Sequence, residues 1–149
     1  MSSKKILDSD IISSIFVRKK INSKVIMSFK SFPNETKNYV LHEVALETDE
    51  KPSILNFLSV HHWCLITNKR FVWEVNQKRN SLYYEIMKSA DINKEEMFRI
   101  GASFKSQTQE INIKIKSGES ILVDIGEAGA SLFAVLNVLS WVIAKNKDS

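Results

Sequence analysis

Apolar residues recur along this chain with two different periods. In residues 9–21, SDIISSIFVRKKI, the positions Ile11, Ile12, Ile15 and Phe16 take the i, i+1, i+4, i+5 spacing of one helix face. Asp8, Ser9 and Asp10 precede them as capping residues. Arg18, Lys19 and Lys20 follow where cations favour a helix C-terminus. The pattern predicts a basic amphipathic helix within an N-terminal segment 1–22. From Lys24 to Phe32 the alternation around Val25 and Met27 predicts a strand, ended by Pro33 and Asn34. Residues 35–47 fit a helix and a strand alike, with Tyr39, Val40, Val44 and Leu46 apolar in either.

After Pro52 the period becomes two. Short segments near 63–67, 70–76, 81–87, 97–105, 109–116 and 120–125, separated by polar residues, predict a meander of antiparallel strands. The clearest pair is EINIKIKSGESILVDIG, where Ile111, Ile113 and Ile115 alternate with polar residues and Ile121, Val123 and Ile125 alternate with Leu122 and Asp124. Both strands must bury one face, which requires an odd loop such as Ser117-Gly118-Glu119, with Ile115 opposite Ile121, Ile113 opposite Val123 and Ile111 opposite Ile125. Gly118 supplies the positive φ that such a loop demands. One face is then core and the other is solvated.

The chain closes on an apolar stretch in which the seventeen residues from Ala128 to Ala144 carry no charge. A membrane span needs about twenty such residues, and Gly129, Ser131, Asn137 and Ser140 weaken this one. A helix over 127–145 is expected instead. Leu132, Phe133, Leu136, Leu139, Trp141, Val142 and Ile143 cover more than half its circumference, so it must be buried, with a sheet wrapped around it.

Composition bounds the class. The 149 residues suit one domain, 1–149, and 44% hydrophobic with 26% charged content is that of a chain that folds alone. Cys64 is the only cysteine, so no internal disulfide forms and a reduced, cytoplasmic home is the simpler expectation. Lys4 and Lys5 are followed by Asp8 and Asp10 rather than an apolar run, which predicts no export signal. The net charge of +4 is unevenly placed: residues 1–30 hold seven Lys or Arg against two Asp. The basic character belongs to the N-terminal arm, which argues against a nucleic-acid surface over the body of the domain.

Little in the sequence offers catalysis. His61, His62 and Cys64 look like a ligand set, but in an extended segment His61 and Trp63 face one way while His62 and Cys64 face the other. His42 stands far off in sequence, and Cys64 reads as a small buried residue. No metal or cofactor is implied. The four glycines form neither GxGxxG nor a phosphate loop, and no serine stands in GxSxG. The acidic pairs Asp49/Glu50 and Glu95/Glu96 are expected to be solvated.

The segment Trp63-Cys64-Leu65-Ile66-Thr67-Asn68-Lys69-Arg70-Phe71-Val72-Trp73 resembles the strand-turn-strand signature of GRAM and bacterial pleckstrin-homology-like domains. A Leu82-Tyr83-Tyr84-Glu85-Ile86 strand, further hairpins and ESILVDIG running into an apolar helix follow in a similar order. The resemblance covers residues 54–145. It implies a mainly β, α+β fold in which two roughly orthogonal antiparallel sheets make an open barrel plugged by the C-terminal helix, here with an extra N-terminal helix. Lipid-binding members gather cations at one mouth of the barrel. Lys69 and Arg70, however, lie in one turn and Lys78 and Arg79 beyond the next strand, so they are expected at opposite ends.

These readings point to a non-catalytic module that docks another protein through an exposed edge strand or loop. Alternatives are a toxin-neutralising immunity protein and peripheral attachment to an anionic membrane through Arg18, Lys19 and Lys20. The candidate binding residues are Arg18, Lys19, Lys20, Lys69, Arg70, Lys78 and Arg79.

Overall fold

The computed structural model describes residues 7–103 and 107–147. Helix α1 (Ser9–Val17) is followed by strand β1 (Ile26–Ser28) and helix α2 (Asn34–Glu43). Four strands follow as a meander: β2 (Pro52–Ser59), β3 (His62–Thr67), β4 (Arg70–Val75) and β5 (Lys78–Tyr83). Strand β6 (Met87–Ile92) leads through helix α3 (Lys94–Ile100) to β7 (Glu110–Ile115), β8 (Ser120–Asp124) and the long helix α4 (Ala130–Lys147). The strands form two antiparallel sheets, ordered β1-β2-β3-β4-β5 and β6-β7-β8. The fold is therefore α+β. Among the described residues no ladder joins one sheet to the other, so the pairing does not close a barrel.

The five-stranded sheet is covered on both faces. On one face Ile54, Cys64, Ile66, Phe71 and Trp73 share a core with Met87, Ile111, Ile113 and Val123 of the smaller sheet and with Leu132, Val135, Leu139 and Val142 of α4. On the other face Leu55, Trp63, Leu65 and Val72 pack with Phe29, Phe32, Val40 and Val44. This two-sided burial explains why β2 has no period-two signature: Ser53, Ile54, Leu55 and Asn56 are buried in succession. The smaller sheet keeps one face wet, with Ile111 and Ile113 buried while Lys114 is exposed. Helix α4 is largely buried, and among the described residues no helix is long and apolar enough to cross a membrane.

Several expected elements shift. Helix α1 ends at Val17 rather than 21, where Lys20 adopts a left-handed turn at φ 54°. Three successive cations add nothing to the buried face, and Ile21 reaches the same core from outside the helix. The strand expected over 24–32 is only Ile26–Ser28, because Ser28 and Phe29 are both buried and a 3₁₀ turn, Phe29–Ser31, breaks the alternation. The ambiguous stretch is α2. The strand expected over 81–87 begins earlier, at Lys78, and yields to a 3₁₀ turn at Tyr84–Ile86.

The strand expected over 97–105 is instead helix α3 as far as Ile100, with residues 104 and 105 outside the described residues. Asn93 caps it, its Oδ1 accepting from Glu96 N–H at 3.2 Å, and Phe98 is 81% exposed, so the apolar alternation there marks no strand.

The β7–β8 hairpin keeps the expected faces in a register two residues away. Ile113 faces Ile121 and Ile111 faces Val123. The loop is Lys116-Ser117-Gly118, closed by Gly118 N–H to Ile115 O (2.9 Å) and Ile115 N–H to Glu119 O (3.0 Å), with Gly118 at φ 100°. This is the three-residue turn with a glycine bulge. An odd loop one step earlier preserves the buried face, which is all that hydrophobic pattern can specify.

Candidate binding surface

The Thr-Asn-Lys-Arg turn between β3 and β4 is bonded almost atom by atom to the segment 45–51. Thr67 Oγ1 accepts from Lys69 N–H (3.1 Å) and Arg70 N–H (3.0 Å), and donates to Glu50 Oε2 at 2.6 Å. Asn68 Oδ1 accepts from Lys51 N–H at 2.8 Å, while its Nδ2 donates to Asp49 O at 2.9 Å. Lys69 Nζ donates to Thr48 O at 2.7 Å and lies 3.7 Å from Glu47 Oε1. The turn chemistry that made the motif legible thus works inward. The buried Tyr84 hydroxyl sits beneath it, 2.7 Å from Thr67 O and 2.9 Å from Arg70 O.

Arg70 holds Glu50 at two points, Nε to Oε2 at 2.9 Å and Nη2 to Oε1 at 3.1 Å. The Glu50 side chain has 0% exposure and that of Arg70 14%. Burial alone would raise the Glu50 carboxyl, but hydrogen bonds from Arg70, Thr67 and Glu47 N–H together hold it below its ordinary value. The expectation that Asp49/Glu50 is a solvated pair is therefore wrong for Glu50. Its carboxylate is the buried hub of this turn.

Arg79 is satisfied in the same way from the other side. Its Nη2 donates to Glu43 Oε1 and to Glu74 Oε1, each at 2.6 Å, and its Nη1 to Glu43 O at 2.9 Å. The guanidinium also lies over the Trp63 ring, 5.4 Å from its centroid. Arg70 stands opposite Tyr83 and Arg79 opposite Glu74, which puts them near opposite ends of the β4–β5 pair but on one face. Both border a shallow cleft of about 490 Å³ with Glu43 and Val72. Each arrives with its own carboxylate, so the cleft offers an anion no free guanidinium.

The remaining candidates are elsewhere. Lys78 is exposed at the start of β5, and Arg18, Lys19 and Lys20 are exposed after α1. No carboxylate among the described residues lies within ion-pair distance of these four. His62 and Cys64 do not meet: His62 Nε2 lies 2.7 Å from Asp124 O, while Cys64 is buried, its thiol pushed up to about 12 by desolvation. Among the described residues no three His, Cys, Asp or Glu side chains gather in metal-ligand geometry. On α3 a hydrogen bond to Glu110, followed by partial burial, raises the Glu96 carboxyl, so this acid too is engaged.

Sequence reasoning missed the edges. Of the four, β1 is three residues long, and β6 is covered by α4, whose Lys147 Nζ donates to Lys88 O (3.0 Å) and Ser140 Oγ to Ala90 O (3.5 Å). Edge β5 is guarded by Lys78 and Arg79. Edge β8 has no charged residue from Ser120 to Val123.

The bonds Ile115 N–H to Glu119 O and Ile125 N–H to Gln109 O set the phase of the β7–β8 ladder. Ile121 and Val123 therefore bond β7, while Ser120, Leu122 and Asp124 direct their backbone groups away from it. His62 takes the Asp124 carbonyl. The outward N–H and C=O of Leu122 have no partner among the described residues, and its side chain is 52% exposed.

Beside this edge, the wet face of the small sheet forms a groove of about 450 Å³. Asn112, Lys114, Ser120 and Leu122 make its floor, and Asp91 and Lys94 stand at one wall. Asn112 Oδ1 is buried without a hydrogen-bond partner among the described residues. Such an acceptor costs about 1–3 kcal/mol while unmet.

No family model matches this chain, and neither a curated protein nor a solved structure matches it significantly.

Proposed function

We propose that the chain is a non-catalytic, pleckstrin-homology-like binding module that docks another protein along β8. The strand order supports the family reading: four meandering strands β2–β5, three more β6–β8, then an apolar helix packed against both sheets. In this reading the two sheets are the walls of an open barrel and α4 is its plug.

The docking reading rests on the bare edge of β8. An extended segment of a partner adds to Leu122 by backbone hydrogen bonds, and its alternate side chains enter the groove over Asn112. Lipid-headgroup recognition at the Thr67–Arg70 turn is disfavoured, since Glu47 and Glu50 already occupy Lys69 and Arg70, and Glu43 and Glu74 hold Arg79 across the same cleft.

Affinity capture from the native cell, run in parallel with Leu122→Asp and with Ser81→Asp on edge β5, tests the assignment. A protein retained by wild type and Ser81→Asp but lost with Leu122→Asp supports docking at β8. Retention by Leu122→Asp, with loss on Ser81→Asp, moves the site to β5.

A further inference from the structure

A second surface lies at the opposite pole of the sequence. Between Asp10 and Glu35 the chain has no acidic residue and five cations, Arg18, Lys19, Lys20, Lys24 and Lys30. This contrasts with the Thr67–Arg70 turn, where every cation is matched to a carboxylate. All five are exposed, and none lies within ion-pair distance of a carboxylate among the described residues.

Helix α1 holds the first of these cations rigidly. Ile12 and Phe16 are buried in the main core, and the helix is clasped to β2 by two hydroxyls: Ser13 Oγ donates to Ser53 O (2.9 Å) and Ser53 Oγ to Ser9 O (3.0 Å). Its outer face is exposed among the described residues. At the basic end of that face Val17 is 57% exposed, and Arg18 Nε folds back onto Ser14 O at 3.3 Å. Ile11, 47% exposed, continues the outer face toward the N-terminal end. Lys19 and Lys20 follow in a tight turn, bonded N–H to Phe16 O and Val17 O at 3.0 Å each.

Cations with no carboxylate partner among the described residues, following an exposed apolar residue in sequence, are complementary to a negatively charged interface with an apolar layer beneath. We infer that the C-terminal end of α1 is a contact site for an anionic lipid bilayer, with Arg18, Lys19 and Lys20 at the headgroups and Val17 entering the interface. An acidic protein would answer the charges and cover Val17 as well, and is the occupant that failure to bind vesicles would leave. The helix lies on the surface and does not span. This site is independent of β8, so a module docked there is delivered to a membrane.

Co-sedimentation with vesicles tests this, using phosphatidylcholine alone and an equimolar mixture with phosphatidylglycerol. Binding is expected only to the mixture and declines with salt. Each cation contributes roughly fivefold, so Lys19→Ala/Lys20→Ala lowers affinity roughly 25-fold. Val17→Ser lowers it several-fold with the salt dependence kept, whereas Lys78→Ala, an exposed cation elsewhere, leaves it within about twofold. All these side chains are exposed, so the variants keep their fold, checked by circular dichroism. Equal sedimentation with both vesicles or with neither, an effect of Lys78→Ala matching that of Lys19→Ala/Lys20→Ala, or no effect of Val17→Ser overturns the site.

Discussion

Arg70 grips Glu50 through two nitrogens, and the carboxylate has no exposed surface of its own. Removing one partner of such a pair leaves the other charge buried and unanswered, which costs about 3–5 kcal/mol. Arg70→Ala is expected to lower the free energy of unfolding by about that amount, read as a shift in the urea midpoint at unchanged slope. Arg70→Met with Glu50→Leu should recover much of the loss. Full loss in the double variant would mean the pair contributes more than mutual neutralisation.

The same pair makes stability depend on acid. The Glu50 carboxyl is held below its ordinary 4.5 in the folded state, so its contribution is complete above that value. It is lost as pH falls through the lowered folded value, because the unfolded chain takes up the proton first. Urea midpoints measured downward from pH 6 should drop below pH 4.5, and the drop should be shallower in Glu50→Gln.

Ser53 ties α1 to β2 and is buried, so Ser53→Ala removes one hydroxyl bond and should cost about 1 kcal/mol. The effect should be local. Amide exchange should quicken across residues 12–17 while β7 remains as slow as in wild type.

The β4–β5 turn runs through Asn76 at φ 53° and Gln77 at φ 67°. Asparagine tolerates that region and glutamine does not, since a left-handed residue with a full side chain is strained by roughly 1–2 kcal/mol. Gln77→Gly is therefore expected to raise the unfolding free energy by about 0.5–1 kcal/mol, after the entropy glycine adds to the unfolded chain. Thermal melts would show it.

Burial pushes the Cys64 thiol from 9.0 to about 12, with only Asn56 opposing. The thiolate is then about a thousandfold scarcer than in an exposed cysteine. Alkylation by iodoacetamide at pH 8 should be negligible in the folded protein and rapid in urea. Quick modification of the native form would mean that β3 opens locally.

The parts of the fold legible from sequence were those with one wet face. The β7–β8 hairpin announced its buried side because Asn112 and Lys114 alternate with isoleucines, and α1 did so through Ile12 and Phe16, although Ile11, expected on the same face, is 47% exposed. Strand β2 did not, because both of its faces are covered, and α3 was misread because the exposed Phe98 imitates alternation. The separation of Arg70 from Arg79 followed from counting residues along β4. The Arg79–Glu74 contact follows from the β4–β5 hairpin register, but capture by Glu50 and Glu43 is tertiary, bringing 43–50 across to 70–79, and no local pattern encodes it. The bare edge of β8 was equally hidden, since pairing on one side only is a property of the assembled sheet.

The bonds from Ser140 and Lys147 to the carbonyls of β6 have a consequence beyond the monomer. They act as a cover on a row of unspent backbone acceptors. A chain shortened by the last three turns of α4 would expose that row while β8 is already open, giving each molecule two sticky margins. Such a truncation should respond to mild heating by stringing molecules end to end, visible as rising light scatter, rather than by simple melting.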